Sequence, residues 1–399
     1  MITLTDEQKS AVTMVKENNV SILTGGPGTG KTTTINEVLF WAESEKLKIY
    51  CCAPSGKAAK RMSESTGRVS STIHSLLGAF MDEDGFKFSF DSYNQLNCEL
   101  LIIDECSMVD NSLMDSLLAS VPIGSKVLLV GDQDQLPSVG AGAVLRDILR
   151  SGRVPHVNLI KIHRNSGDIV KACHNIKEGK FYIPSATLDV ENGLNIRHIE
   201  VKNDLKIVST IKDLIVDRMP KRGYDPIWGV QVLSPTNEKT TMSCKSINEV
   251  LQRHLNTNDA IEKTIFRVND KVINTRNQSI GETYICNGDM GEIESITDKV
   301  ITVKFFNPDR KVDIKKVFND LKLAYCITCH RFQGSEAPVI IIPVHSSFSF
   351  LMNRAWIYTA ISRAKEICIT VGQFSAIKRA IDKEESGKRV TRLKERLSA

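Results

Sequence analysis

Short, mostly apolar runs separated by amphipathic stretches dominate the first 165 residues. Each run has strand length, and this pattern is typical of strands buried on both faces of a parallel sheet. The stretches between them show helical periodicity, beginning with 4–12, for which Thr5 is the predicted N-cap. The pattern predicts an α/β domain whose strands lie at 20–24, 48–54, 98–105, 126–130 and 157–162.

A second α/β set follows a polar segment that we predict to be helical, from Arg164 to about residue 220. Its strands are predicted at 228–236, 339–344 and 366–372. The stretch 265–322 between them consists of short β-rich pieces with turn signals such as Asn287-Gly288-Asp289. These features predict a small barrel inserted in a second α/β domain.

Residues 80–97 interrupt the α/β rhythm of the first domain. Acidic residues, glycine and alternating aromatic residues favour an inserted β-hairpin, with a disordered surface loop as the alternative. In a strand, Phe86, Phe88 and Phe90 share one face because alternate residues point the same way. Either these rings stack on a ligand or they anchor the hairpin to its own domain.

The composition is that of an ordinary globular protein, with 41% hydrophobic and 25% charged residues among 399. The formal net charge of +5 permits a polyanionic partner without requiring one. No stretch is long and apolar enough to cross a bilayer, and the first residues do not form a signal peptide. Ten scattered cysteines suit a reducing compartment, so we expect a cytoplasmic protein without a membrane partner.

The chemistry of the chain centres on residues 25–32, which fit the spacing G-x-x-x-x-G-K-[ST] between a predicted strand and a predicted helix. Glycines let the backbone wrap a polyphosphate, and the helix N-terminus adds partial positive charge. Lys31 would neutralise the β- and γ-phosphates of ATP, and the Thr32 hydroxyl would ligate Mg²⁺. The predicted nucleotide-binding residues here are Gly25, Gly26, Pro27, Gly28, Thr29, Gly30, Lys31, Thr32 and Thr33.

A nucleotide site of this kind also needs carboxylates, and two of them lie at the carboxyl end of the apolar strand predicted at 98–105. Asp104 can hold the Mg²⁺ shell, and Glu105 can polarise the attacking water. Gln135 follows a further strand and can sense the γ-phosphate. Gln8 lies upstream of the phosphate loop, where its amide can pair with an adenine edge or simply face solvent.

Several polar residues at strand ends are candidates for contact with a nucleic-acid backbone. Ser55 and Lys57 follow the strand at 48–54, and Thr72 and His74 open a helix further on. Helix capping is the alternative interpretation of both pairs.

Taken in order, these motifs resemble superfamily 1 helicases of the RecD-like group over nearly the whole chain. The series continues through 232–235, 287–289, 323–336 and 358–365. The resemblance implies an α/β fold with two RecA-like P-loop NTPase lobes that have parallel sheets, a β-hairpin pin at 80–97 and an SH3-like β-barrel. Lobe one would span 1–165, a helical connection 166–225, lobe two 226–264 and 322–375, the barrel 265–321 and a basic tail 376–399.

The resemblance also assigns roles to further residues. Arg164 and Arg363 would reach the γ-phosphate from the two lobes, and Glu336 would contact the ribose. DNA contacts would come from Ser234, Pro235, Thr328 and His330. The run Cys326-Ile327-Thr328-Cys329-His330 also fits a haem-attachment pattern, but the resemblance makes its cysteines small buried fillers.

The resemblance implies an ATP- and Mg²⁺-dependent helicase that moves 5′→3′ on single-stranded DNA and opens duplex or forked DNA. A monomer, or a loose assembly on DNA, with replication or repair proteins as partners, would fit this activity. Alternatives are an ATP-driven translocase or clamp that does not unwind, an RNA helicase of the same superfamily, and a metabolic P-loop kinase. The kinase leaves the second lobe and Arg363 unexplained.

Overall fold

The structure, a computed structural model, describes residues 4–82, 85–161, 167–259, 261, 264–281, 283–306, 309–316 and 320–384. These residues fall into two compact units, one up to residue 161 and one from residue 167. Arg164 lies outside the described residues. The same holds for the predicted basic tail from residue 385 onward.

The first unit is built on a six-stranded sheet in which every recorded strand pairing is parallel. The strand order is β3-β2-β6-β7-β1-β8. The sheet confirms the parallel α/β pattern predicted for this half of the chain. Its strands are β1 (Val20–Gly25), β2 (Ile49–Ala53), β3 (Ser70–Thr72), β6 (Leu100–Ile103), β7 (Lys126–Gly131) and β8 (His156–Leu159).

Side chains that cap the helices of this unit fix where the helices begin. Thr5 forms a capping box with Gln8, as its predicted N-cap position requires, and Asp110 accepts from the backbone N–H of Leu113 at 2.9 Å. The helices are α1 (Asp6–Glu17), α2 (Lys31–Ser44), α3 (Gly56–Thr66), α4 (Ile73–Leu76), α5 (Asn111–Ala119) and α6 (Val144–Ser151).

The core of the first unit lies on both faces of the sheet. Leu101 and Ile103 of β6 belong to one buried cluster, whereas Leu100 and Ile102 belong to the other. Successive side chains of a strand point to opposite faces, so an uninterrupted apolar strand fills both layers. All four residues of β6 are buried, so packing on both faces holds the carboxyl end of this strand in place.

A β-hairpin is inserted in the first unit, as predicted, but it is shorter than 80–97. Strands β4 (Ala79–Asp82) and β5 (Gly85–Phe88) are antiparallel, and Ala79 pairs with Phe88. Phe88 and Phe90 pack against the core of the unit. Phe80 and Tyr93 are 43% and 97% exposed.

The second unit contains a five-stranded sheet whose recorded strand pairings are also parallel, in the order β18-β10-β19-β20-β9. The segment 166–225, predicted as a helical connection, also contains the strand β9 (Ile196–Glu200), which pairs with β20 (Ala364–Gly372) at the sheet edge. The strands are β9 (Ile196–Glu200), β10 (Val230–Ser234), β18 (Cys326–Thr328), β19 (Ala337–Val344) and β20 (Ala364–Gly372).

Five α-helices in the described part of the second unit accompany this sheet. They are α7 (Asp168–Lys177), α8 (Asp204–Asp213), α9 (Cys244–Leu255), α10 (Arg354–Ser362) and α11 (Phe374–Asp382). A π-helical turn, Leu214–Arg218, continues α8.

The β-rich insertion predicted within the second α/β set forms an antiparallel sheet of order β16-β15-β14-β11-β17, with a separate two-stranded ribbon, β12-β13. Alternate residues of β15 are buried, as one face packing on a core requires. The strands are β11 (Lys271–Asn274), β12 (Gln278–Ile280), β13 (Thr283–Ile285), β14 (Met290–Ile296), β15 (Val300–Phe305), β16 (Arg310–Lys315) and β17 (Leu321–Leu323).

Candidate functional site

The phosphate loop joins β1 to α2 and has the backbone that the glycine spacing predicts. Gly28 and Gly30 adopt φ values of 74° and 89°, a region that favours glycine. A Cβ on Gly25 would lie 2.9 Å from the carbonyl oxygen of Leu159 on β8. The loop therefore depends on glycine both for its turns and for its packing against the sheet.

Two side chains complete the loop. The Lys31 ammonium donates to the carbonyl oxygens of Gly25 and Gly26 at 2.6 and 3.0 Å, so it lies over the loop. Thr29 donates to the Gly26 carbonyl at 2.9 Å. Since α2 begins at Lys31, its positive dipole end opens onto the loop. A cation, an amide-lined turn and a helix N-terminus together form a site for a polyphosphate.

The acid pair follows β6. Glu105 has φ +52°, which is strained for a residue with a side chain, and its N–H donates to the Asp104 carboxylate at 2.8 Å. Burial and the neighbouring Glu105 carboxylate raise the pKa of Asp104 to about 6, against the opposing charges of Lys31 and Arg61. A bound divalent cation would favour the ionised form and lower this pKa again.

Gln135 lies beyond β7, in a loop held by Asp132. Asp132 is 2% exposed and accepts from the Gln135 amide at 3.3 Å and from the Asp134 N–H at 3.1 Å. A Cβ on Gly131 would lie 2.7 Å from Leu145 and 3.3 Å from the backbone nitrogens of Cys106 and Ser107. Glycine therefore lets the turn after the acid pair pack directly on the end of β7.

Gln8 of α1 contacts the phosphate loop, and its side chain is buried, with 2% of the residue exposed. Its amide oxygen accepts from the Thr5 N–H at 2.9 Å, and its amide nitrogen donates to the Gly30 carbonyl at 3.4 Å. The side chain is thus not a solvated surface glutamine. It joins the α1 cap to the phosphate loop, and its contact with adenine stays a prediction.

The candidate residues of the first unit all lie on one side of the sheet, because the strands are parallel and the loops that carry these residues follow their carboxyl ends. The strand order then sets how far apart they lie. The phosphate loop, Gln135 and the acid pair follow the neighbouring strands β1, β7 and β6. The predicted nucleic-acid residues lie at or just after the carboxyl ends of β2 and β3. Adjacent strands lie about 4.8 Å apart, so β3 is about 19 Å from β1.

Both hydroxyl residues of the predicted nucleic-acid set cap helices. Ser55 accepts from the Ala58 N–H at 3.2 Å, and Thr72 accepts from the Ser75 N–H at 3.1 Å. Lys57 lies in the first turn of α3. The His74 ring lies 5.9 Å from that of Phe88, and burial lowers the pKa of His74. Helix capping therefore explains why hydroxyl residues occupy these two positions, while their contacts with nucleic acid stay predictions.

In the second unit the register of β19 and β20 brings two predicted nucleotide-contacting residues together. Ala337 pairs with Ala364, and its N–H donates to the Arg363 carbonyl at 3.1 Å. Glu336 and Arg363 therefore lie next to each other at the amino ends of the two strands. Arg363 is 3% exposed, and its guanidinium contacts Thr359 and Ser362 of its own helix.

The predicted DNA-contacting residues of this unit meet at the opposite side of the sheet. Ser234 and Thr328 are register partners at the carboxyl ends of β10 and β18. His330 is exposed and Pro235 is half-buried. Ser234 is fully buried and donates to the Met242 carbonyl at 2.7 Å, so its side chain is engaged within its own unit, and its contact with DNA stays a prediction.

The C-x-x-C-H run is part of this strand end. Cys326 and Cys329 are fully buried, which confirms their interpretation as fillers. Burial raises the pKa of the Cys329 thiol to about 12. Within the described ranges, no group of three His, Cys, Asp or Glu side chains is placed to hold a metal ion.

A buried polar network connects the inserted sheet to the Thr328 segment. Asp270, immediately before β11, accepts from the hydroxyl of Tyr325 at 3.0 Å. Asn248 of α9 accepts from the Cys326 N–H at 2.7 Å and donates to the carbonyls of Cys326 and Leu323 at 2.8 and 3.1 Å. The network fixes the position of β18 relative to the insertion.

Sequence reasoning missed three residues that shape the first unit's site. Glu7 accepts from the N–H groups of Ile160 and Lys161 after β8, at 2.9 and 3.3 Å. Arg61 acts electrostatically on Asp104, and Asp132 holds Gln135. Only Asp132 carries a sequence signal, since it directly follows a buried strand.

Two family models match the chain. An AAA domain matches residues 3–194, and a UvrD-like helicase C-terminal domain matches residues 323–371. The ATP-dependent RecD2 DNA helicase of Deinococcus radiodurans is 35% identical over 99% of this chain. The chain belongs to the superfamily 1 helicases, in the RecD-like group.

The RecD subunit of the RecBCD enzyme of Mycolicibacterium smegmatis is 29% identical over 98% of this chain. The chain spans 53% of the Deinococcus protein and 75% of the Mycolicibacterium subunit. Among the described residues, no helix is both long and apolar enough to span a membrane.

Solved structures of similar fold include the Bacteroides Pif1 helicase in complex with ADP-AlF3 and ssDNA. Its TM-score is 0.59 at 23% identity, and the match covers 96% of this chain and 95% of that one. Bacteroides Pif1 bound to ssDNA has a TM-score of 0.57 at 23% identity, covering 93% and 92%. The two parallel sheets of the present chain are thus those of two RecA-like lobes.

Proposed function

We propose that this chain is an ATP-dependent DNA helicase that moves on single-stranded DNA, in the 5′→3′ direction, and separates duplex or forked DNA. The phosphate loop carries the proposal, because Lys31 lies over it and the acid pair and Gln135 follow neighbouring strands. The Deinococcus relative is described as an ATP-dependent DNA helicase, which supports the choice of DNA as substrate.

The proposed roles combine the sequence motifs with the geometry of the described side chains, and the role of Arg164 rests on its motif alone. Lys31 binds the β- and γ-phosphates of ATP, and Glu105 accepts a proton from the attacking water. Gln135 responds to the γ-phosphate through the loop that Asp132 holds. Arg164 and Arg363 supply positive charge to the γ-phosphate in the transition state.

The donor set also fits Mg²⁺, which prefers carboxylate and hydroxyl oxygens. Asp104 and the exposed hydroxyl of Thr32 would hold it, and the ion would neutralise charge on the phosphates. The rise in the Asp104 pKa supports this assignment, since a partly desolvated carboxylate beside a second one is stabilised by a cation.

We further propose that the insertion at 265–321 is an SH3-like barrel and that Thr328 and His330 contact the DNA strand. For the pin we propose that Phe80 and Tyr93 meet the duplex. Their exposure supports this choice, whereas Phe88 and Phe90 pack on their own unit. A stacked base is worth about 1–3 kcal/mol, which offsets part of the cost of opening a base pair.

The direct test is strand displacement on forked duplexes with either a 5′ or a 3′ single-stranded arm. We expect ATP-dependent displacement only from the 5′ arm. Lys31→Ala should abolish both ATP hydrolysis and displacement, while Lys9→Ala, the same substitution at an exposed lysine of α1, should leave both unchanged. Normal turnover by a folded Lys31→Ala protein would contradict the assignment of the site.

The second candidate is an ATP-driven clamp or translocase that does not unwind, and the exposed rings of the pin region discriminate between the two. For a helicase, Phe80→Ala should reduce displacement while DNA-stimulated hydrolysis and strand translocation persist. If the wild-type chain displaced a strand from neither forked duplex while DNA still stimulated ATP hydrolysis, the result would favour the clamp. Stronger stimulation by RNA than by DNA of equal length would indicate an RNA helicase.

A further inference from the structure

A pocket of about 280 Å³ lies beside the edge strand β9 of the second unit. Arg197 and Ile199 of β9 share a face, and Ile369 of β20 is the register partner of Arg197. The side chains of Ile199 and Ile369 form an apolar floor, and the segment before β9, at 186–188, forms one wall. The pocket is thus built on regular structure at a sheet edge.

The opposite wall comes from the π-helical turn that continues α8. Leu214, Arg218 and Met219 line the pocket from this turn, and the Met219 N–H donates to the Leu214 carbonyl at 2.8 Å, a five-residue step. The π-helix is rare, and isolated π-turns occur frequently at functional sites. The five-residue step of the turn brings Met219 to the same side as Leu214, and Arg218 lies beside them.

Three arginines surround this apolar floor. Arg197 and Arg222 donate to the backbone carbonyls of Ala186 and Leu188, and Arg218 is exposed. The residues that line the pocket, all of them described, include no aspartate or glutamate. The pocket therefore combines three positive charges with an apolar surface and contains no acidic side chain of its own.

We propose that this pocket binds an acidic peptide segment of a partner protein, with an apolar side chain on its floor and carboxylates on its arginines. Arginine forks bind carboxylates bidentately, and arginine clusters are a recurrent means of recognising acidic motifs. The volume is just below the about 300–1,000 Å³ typical of small-molecule sites, so it suits one or two side chains of a longer segment.

A nucleic-acid strand fits the pocket less well. Sites for single strands combine positive charge with aromatic rings on which bases stack, and no aromatic residue lines this pocket. β9 is also four strands away from β18, the strand of Thr328, which is about 19 Å across the sheet. The pocket is therefore separate from the DNA contacts proposed for this unit.

Fluorescence anisotropy with a labelled oligo-aspartate peptide ending in leucines tests the proposal on the full chain. At about 100 mM salt, where distant charges are screened, we expect saturable binding. The double variant Arg218→Glu/Arg222→Glu should weaken it by at least about tenfold, as loss of charge-assisted contacts requires. Arg253→Glu, at an exposed arginine of α9 outside the pocket, should change it by less than about twofold.

Two further probes separate the contributions of charge and shape. A peptide with serines in place of the leucines should bind several-fold more weakly, and one with lysines in place of the aspartates should not bind. Loss of oligothymidine binding by the double variant, with peptide binding retained, would identify a nucleic-acid contact and overturn the proposal. Absence of peptide binding to the wild-type chain, or equal losses in the double variant and Arg253→Glu, would also overturn it.

Discussion

Replacing Asp270 by asparagine should destabilise the second unit strongly, because four donors converge on its fully buried carboxylate. One oxygen accepts from Asn256 and Tyr325 at 2.8 and 3.0 Å. The other accepts from the amide of Gln252 at 2.5 Å and from the Arg267 N–H at 2.7 Å. No lysine or arginine side chain is among these four donors.

The magnitude follows from this geometry. Asp270→Asn turns one acceptor oxygen into a donor, so two hydrogen bonds to a charged group, each worth about 1.5–3 kcal/mol, become donor–donor contacts. Removing the buried charge returns part of its desolvation cost. We therefore expect a loss of about 2–4 kcal/mol in the free energy of unfolding of the second unit.

Tryptophan fluorescence during urea unfolding can isolate this unit. Trp41 is the tryptophan of the first unit, so in a Trp41→Phe background the signal comes from Trp228 and Trp356. The matched control is Asp313→Asn on the same inserted sheet, because Asp313 is exposed and accepts from Thr302 at 2.7 Å. The control substitution should lower the free energy of unfolding by less than about 0.5 kcal/mol.

An Asp270→Asn loss no larger than that of the control would refute the reasoning, since the network would then not hold the unit together. A second readout tests its role in the site. Tyr325 lies three residues before Thr328, so we expect Asp270→Asn to reduce DNA-stimulated hydrolysis more than hydrolysis without DNA.

Three further predictions concern the nucleotide site. Glu105→Gln should retain nucleotide binding but slow phosphate release by about 10²–10⁴-fold, and lost binding would instead make Glu105 structural. Gly28→Ala, forced to hold φ +74°, should lose binding of a fluorescent ATP analogue, whereas Gly67→Ala, at φ +69° in open space after α3, should not. Arg363→Ala should lower turnover by about 10³-fold or more with ATP affinity much less affected, and a loss under about tenfold would argue against a finger.

The elements predicted best from the sequence are those with the strongest periodicity. The buried runs became β1, β2, β6, β7, β10, β19 and β20 within a few residues, because a strand covered on both faces must be largely apolar. The phosphate loop was equally predictable, since its glycines are set by local backbone geometry rather than by distant contacts.

The strand β9 was missed because it lies at a sheet edge. Its residues Ile196, Arg197, His198 and Ile199 read as polar and irregular, and only Ile196 is fully buried. An edge strand needs neither a continuous apolar run nor strict alternation. Its pairing with β20 is a long-range contact that a local pattern does not encode.

Side-chain roles were the least predictable part of the site. Ser234 occupies a motif position, yet it is buried and donates a hydrogen bond to the Met242 carbonyl, because its strand lies between two others in the sheet. Glu336 and Arg363 are adjacent only through the register of β19 and β20. Register depends on the packing of whole strands, so neither result follows from spacing in the sequence.

The sheet order also bears on the proposed coupling of ATP hydrolysis to a strand of DNA. In the first unit, β6 carries the acid pair and hydrogen-bonds to β2, whose loop holds Ser55 and Lys57. The Asp104 N–H, moreover, donates to the Cys52 carbonyl of β2 at 3.0 Å. A change at Asp104 on loss of the γ-phosphate would therefore reach the Ser55 loop across a single strand pairing.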